Sequence, residues 1–173
     1  MHDPVEGTFG RFLDVDLTTG TLDEYSIDPE WTRKYLGGRG IGARILLEEL
    51  APGVDPLGPE NVLVFATGPL QGTGAAGAGR NVVMAKSPKT GAVSGSYVGG
   101  FFPHELGRSG YDGIIVRGAA ETPQYLALTD GSAELRDAED LWGEDVADVE
   151  ETLIDRHDGG KVASIGIAGE NET

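Results

Sequence analysis

The sequence predicts an α+β fold: a single β-rich domain of stacked, mostly antiparallel sheets with flanking helices, filling residues 1–173. Three observations carry this reading. Short runs rich in Val, Ile and Leu recur along the chain, separated by turns of Gly, Pro and Asp. Helical patterns fall between them at irregular intervals, whereas a βαβ protein places one after every strand. A chain of 173 residues with 39% hydrophobic content is long enough for one core, and neither an internal repeat nor a low-complexity tract divides it.

The elements follow in order. "RFLDVDLTTGTLDEYSI" carries Phe12, Val15 and Leu17 before a Thr-Thr-Gly turn and resumes at Leu22 and Tyr25, which predicts a β-hairpin with one wet face. "DPEWTRKYLGG" predicts a short helix, capped by Asp28, with Pro29 at its first position and Gly37 as its stop. "GIGARILLEEL" continues helically, with Ile41, Ile45 and Leu46 on one face and Pro52 beyond its end. "NVLVFATG", "RNVVMAKS" and "GAVSGSYVGG" read as three strands, the last interrupted by glycine, with "SPKTG" as the turn before it. "FFPHELGRSG" predicts a short helix near Pro103; "DGIIVRG", "TPQYLALTDG" and "SAELRDA" predict strands. "DLWGEDVADVEETLIDRHDGG" predicts a helix with Val146, Val149 and Leu153 on one face, and "KVASIGIAGENET" opens one more strand. Trp31 and Trp142 are expected in the core.

Composition excludes several classes. The net charge of −16, from 29 acidic and 13 basic residues, repels nucleic-acid phosphates and anionic membranes. Hydrophobic runs persist among the acids, which argues for folded structure and for a surface adapted to high salt, as in a halophile. No run approaches the ~20 apolar residues of a membrane span, and "MHDPVEGTFG" is unlike a secretory leader, so a cytoplasmic location is expected. Without cysteine, this chain offers no thiolate to zinc or to an iron–sulfur cluster.

"GTGAAG" at residues 72–77 matches G-x-G-x-x-G, but a dinucleotide site needs a helix directly after the glycines to meet the pyrophosphate. Here "AGRNVVMAKS" follows, β-branched and uncapped, so the dinucleotide reading fails. What remains is a small-residue loop ending in Arg80, whose planar fork suits a phosphate. A surface arginine paired with one of the many acids is the competing reading. The Gly99 and Gly100 pair in "SYVGGFF", between a strand and a helix start, adds a second place where backbone N–H groups can face an anion.

Taken together, "GRFLDVDLTTG", "YLGGRGIGARILLEEL", "GVDPLGPENVLVFATGPLQGT", "GRNVVMAKSPKTG", "GGFFPHELGRSGYDGIIVRG" and "ASIGIAGEN" resemble the N-terminal domain of the aldehyde ferredoxin oxidoreductase family. The resemblance implies a base for tungstopterin, or molybdopterin, in an enzyme that oxidises aldehydes to carboxylic acids and passes electrons through a [4Fe–4S] cluster to ferredoxin. By the same resemblance Arg80 contacts the pterin phosphate, and Gly99 and Gly100 lie beside the pterin. Tyr97 stands where the family usually has Asn, a position whose main-chain carbonyl binds a Mg ion bridging the phosphates. Arg39 matches a family arginine to which no contact is assigned. The family's cluster cysteines, catalytic acid and histidine, and second pterin loop lie beyond the matching part. The chain is therefore expected to be truncated at its C-terminal end and inactive alone, with the remainder of the oxidoreductase as its partner, from the same gene or a split subunit. The alternative is a non-catalytic remnant or interaction module that keeps the fold without cofactor.

The other polar candidates read as surface. His2, His104 and His157 lack ligand spacing, and the acids Glu48, Glu49, Asp137, Glu139 and Asp140 are expected to be solvated. Lys86, just before the predicted "SPKTG" turn, and Lys89, within it, could help hold an anion, but a plain turn is the expectation.

Overall fold

The computed structural model describes residues 5–171. Strands β1 (Arg11–Asp16) and β2 (Thr21–Ser26) form the expected hairpin, paired from Arg11 opposite Ser26 to Asp16 opposite Thr21. The Asp16 carboxylate closes its turn by accepting the N–H groups of Thr18 and Thr19 at 2.8 and 3.2 Å. Helix α1 (Pro29–Tyr35) starts on the Asp28 cap and α2 (Gly38–Glu49) follows almost directly. Leu36 takes the left-handed turn at φ 66° that ends α1, and Gly37 becomes the N-cap of α2 instead of the stop of α1.

Strands β3 (Val62–Ala66), β4 (Asn81–Lys86) and β5 (Val93–Val98) run antiparallel in sequence, then α3 (Phe102–Leu106) leads to β6 (Gly113–Arg117). The resulting six-stranded sheet has the order β2-β1-β6-β3-β4-β5, with β1 and β6 its parallel pair. A second, two-stranded sheet pairs β7 (Gln124–Thr129) with β8 (Ser132–Asp137). A 3-10 turn at Glu139–Leu141, α4 (Val146–Arg156) and α5 (Gly166–Glu170) complete the order.

Strand alternation sends side chains to both faces of the large sheet. On one face Ile41, Ile45 and Leu46 of α2 bury Phe12, Val64, Val82, Met84 and Ile115. On the other, Leu13, Val15 and Ile114 lie under Leu126, Leu128, Ala133 and Leu135 of the β7–β8 hairpin and Leu106 of α3. The small sheet therefore stacks on the large one, as expected. A third cluster of Ala138, Leu141, Val149 and Leu153 docks α4 against Tyr125.

Two polar ties fix this frame. Arg117 bridges Asp14 at 2.7 Å and Glu49 at 2.9 Å, joining β1, β6 and the end of α2. The Tyr25 hydroxyl donates to the same Glu49 at 2.8 Å, and burial, with that bond, pushes its pKa up. Asp112 accepts the N–H groups of Phe9 and Gly10 at 2.9 and 2.8 Å, anchoring the entry to β1; burial outweighs these bonds and raises its pKa.

Besides the role of Gly37, the structure corrects three expectations. Glu49 is not solvated surface but the hub of the tie just described, whereas Glu48 pairs along its own helix with Arg44. Trp31 packs on the core, but Trp142 follows the 3-10 turn with 51% of its surface exposed. Residues 161–165 form no strand: no neighbouring strand pairs with them, and Gly166, at φ 65°, turns the backbone into α5. His2 lies outside the described residues.

Candidate anion site at one end of the sheet

Strand registers gather the site. The end of β3, Ala66, lies opposite Val82 of β4 and Gly113 of β6, and Asn81 lies opposite Val98, so one end of the sheet carries both the 67–80 loop and the 99–101 loop. The start of α2 abuts the same end, where Gly38 N–H donates to the Thr67 carbonyl at 2.7 Å.

The 67–80 loop contains turns but no helix, and it runs into β4, so the structure bears out the rejection of a dinucleotide loop. Its base is clamped: Arg108 Nε donates to the Gly72 carbonyl at 3.1 Å, and a Cβ on Gly72 would stand 2.7 Å from the Gly107 carbonyl oxygen. Its tip is open, since a Cβ on Gly74, Gly77 or Gly79 would meet nothing within 4 Å.

Arg80 is exposed at the exit of this loop. Extending the β4–β5 register by one residue sets it opposite Gly99, and a Cβ on Gly99 would lie 4.0 Å from Arg80 Cγ. Gly100, at φ 89°, faces open space. Arg11, Arg44, Arg117, Arg136 and Arg156 each hold a carboxylate, but Arg80 has no ion pair or hydrogen bond among the described residues. In a chain with 29 acids, that argues against the surface-pair reading. Arg39, exposed in the first turn of α2, is likewise unpaired among the described residues.

Tyr97, opposite Val82, is 55% exposed on the outermost strand. No group of three or more His, Asp or Glu residues able to hold a metal occurs among the described residues. A free cation, open glycine backbone and no carboxylate cage fit an anionic group such as a phosphate; a bare metal ion would need ligands from elsewhere. Lys86 and the "SPKTG" turn after it stand apart: β4 runs from Asn81 beside Arg80 to Lys86 at the opposite end, where the Lys86 ammonium donates to the Val54 carbonyl. His104 sits half-buried on α3, and His157 shares a 3.3 Å hydrogen bond with the Tyr125 hydroxyl.

Nothing in the sequence marks Asn81 or Gln71. Asn81, next to Arg80, is 2% exposed with neither end of its amide paired, and the Gln71 amide nitrogen at the foot of the loop is also buried without a partner. Only the folded environment makes them notable.

Comparison with known proteins agrees with this fold. Residues 12–173 match the family model for the aldehyde ferredoxin oxidoreductase N-terminal domain. The tungsten-containing aldehyde ferredoxin oxidoreductase of Pyrococcus abyssi is 46% identical over 96% of this chain, which spans 28% of that protein. The WOR-like subunit of an aliphatic sulfonate oxidoreductase from Pyrococcus furiosus is 40% identical over 84% of this chain and 23% of its own length. Among solved structures, the active site complex BamBC of benzoyl coenzyme A reductase, in complex with 1,5 dienoyl-CoA, superposes with a TM-score of 0.85 at 39% identity, over 88% of this chain and 23% of that one. No helix among the described residues is long and apolar enough to cross a membrane.

Proposed function

The chain belongs to the aldehyde ferredoxin oxidoreductase family, as its N-terminal domain, and from that premise we propose that it is the cofactor-binding base of a tungstopterin (or molybdopterin) oxidoreductase. Arg80 holds the pterin phosphate, and Gly99 and Gly100 let the cofactor approach the backbone. The Tyr97 carbonyl would offer one oxygen ligand to a Mg ion bound with the cofactor. When bound, the cofactor takes up the electrons released as an aldehyde becomes a carboxylic acid. The [4Fe–4S] cluster and the contact with ferredoxin belong to the remainder of the enzyme, since this chain has no cysteine. The reading places the enzyme in the cytoplasm of a halophile.

The observation that carries this is Arg80: an unpaired, exposed arginine beside two open glycines, in a chain with a surplus of acids. The relatives support a cofactor role over substrate recognition. They include an aldehyde oxidoreductase, a sulfonate oxidoreductase and a benzoyl coenzyme A reductase, and a domain common to such different substrates is suited to what they share.

The test is Arg80→Ala and Arg80→Lys in the complete enzyme. Charge-assisted hydrogen bonds contribute roughly 1.5–3 kcal/mol each, so Arg80→Ala is expected to lower pterin and tungsten retention about ten-fold or more with the fold intact. Lys keeps the charge but loses the two parallel donors, so Arg80→Lys falls between. Pterin is read by fluorescence of its oxidised form after denaturation. Equal occupancy in Arg80→Ala removes Arg80 from the site, and a pterin-free unsubstituted enzyme supports the non-catalytic module instead.

A further inference from the structure

A small cavity lies at the root of the 67–80 loop, among the segment before β1, helix α1 and the entry to β6. Thr8, Thr32, Thr67 and Asp112 line it, Phe12 and Ile41 are among its apolar walls, and its volume of about 10 Å³ has room for one sphere the size of a water. The Thr8 hydroxyl donates to the Val5 carbonyl at 2.8 Å, and the Thr67 hydroxyl to the Asp112 carbonyl at 2.7 Å. Each has spent its hydrogen and keeps only lone pairs for a guest. The Thr32 side chain, 6% exposed, has no hydrogen bond among the described residues. Asp112 brings a carboxylate that has no ion pair among the described residues. Its raised pKa marks a buried charge that two N–H groups leave short of compensation.

We propose that this cavity binds one alkali-metal cation, Na+ or K+, through the oxygens of Thr8, Thr32, Thr67 and Asp112. The donor set decides the class of guest. Oxygens alone suit a hard cation, and one carboxylate among neutral hydroxyls suits a single charge better than a divalent ion, which gathers more carboxylates or keeps most of its waters. An anion would face the Asp112 carboxylate. A water offers two hydrogens and no charge, so it leaves that carboxylate uncompensated. The apolar walls lower the local dielectric and strengthen the attraction between Asp112 and the ion. The four ligands come from four separate segments, which can adjust to either radius, so Na+ and K+ form one class here. Once bound, the ion ties the root of the glycine loop to α1 and to the entry of β6. Arg80 does not line this cavity, and the proposal stands apart from any cofactor.

Thermal melts of the 173-residue chain in NaCl, KCl and tetramethylammonium chloride at equal molarity test this. Thr32→Val, which keeps the shape of the side chain and removes one ligand, is melted beside it in each salt. Screening of the surface charge is common to the three salts, and other effects of each cation cancel between the chain and its variant. A ligand that binds only the folded chain raises its Tm. The excess of the unsubstituted Tm over that of Thr32→Val is expected to be at least about 2–4 °C larger in NaCl and in KCl than in the tetramethylammonium salt, whose cation is too large for the cavity. Asp112→Asn, which keeps an oxygen in place without its charge, is expected to lose the same preference. Equal differences in the three salts overturn the proposal and assign the cavity to a water. A preference for Na+ and K+ that survives both substitutions also overturns it, because the ion then binds elsewhere.

Discussion

Asn81 holds an amide with neither end paired, at 2% exposure, one residue from the exposed Arg80. Leaving a buried polar group unpaired costs roughly 1–3 kcal/mol. Val is only modestly larger, favours a strand and has nothing to desolvate, so Asn81→Val is expected to stabilise the chain. For a domain of this size each kcal/mol shifts Tm by about 2–4 °C, and a rise of at least that order is expected in circular-dichroism melts. An unchanged or lower Tm shows that an ordered water satisfies the amide in solution. At this scale the sequence singled out Arg80, the arginine closing a glycine run, and the structure shows it exposed and without an ion pair among the described residues. Asn81 announces nothing, because its cost depends on partners that only the tertiary fold brings or withholds. Glu49 was misread for the same reason, since Arg117 and Tyr25 reach it from distant strands.

The elements read correctly were those with strong local signals. Asp28 and Pro29 write the start of α1 into the chain, and the Thr18-Thr19-Gly20 turn writes the β1–β2 hairpin. Pairing between distant segments was not legible: β1 lies parallel to β6, about a hundred residues later by the β1–β6 register, and no local pattern encodes that. "KVASIGIAGENET" failed as a strand because an apolar run becomes one only beside a partner strand. The close contacts of the large sheet are equally hidden in sequence. A Cβ added to Gly113, at the start of β6, would collide with the Phe65 carbonyl oxygen and the Phe12 ring. Backbone on one side and a buried ring on the other leave nothing free to move. Gly113→Ala is therefore expected to lose about 1–3 kcal/mol or more, read as a fall in urea midpoint at constant m-value. Gly68→Ala is the control, because a Cβ there meets nothing within 4 Å. Equal midpoints for Gly113→Ala and the unsubstituted chain would mean that β6 pairs with β3 less closely than described.

Over the whole molecule, charge opposes compactness. Its net charge of −16 is spread through an 18.1 kDa body, and the ion pairs at Arg11, Arg136 and Arg156 neutralise exposed acids only locally. Salt acts on both effects, and their sizes decide the sign. Screening weakens the exposed pairs, but each is worth only about 0–1 kcal/mol. It also weakens the repulsion summed over all the unpaired carboxylates, which act at longer range and which unfolding would otherwise relieve. The Debye length falls from ~30 Å at 0.01 M salt to ~3 Å at 1 M, from the dimension of a small domain to that of one contact. Tm is therefore expected to climb as KCl goes from dilute to molar. Most of the rise should come at the low end, where screening changes fastest, and NaCl should act alike because the effect is one of ionic strength. A Tm that stays flat or falls would show that the pairs outweigh the repulsion, and would withdraw the reading of this surface as adapted to high salt. A rise confined to the highest concentrations would instead assign the stabilisation to strengthened burial of apolar surface, leaving the excess of carboxylates without a thermodynamic role in the isolated chain.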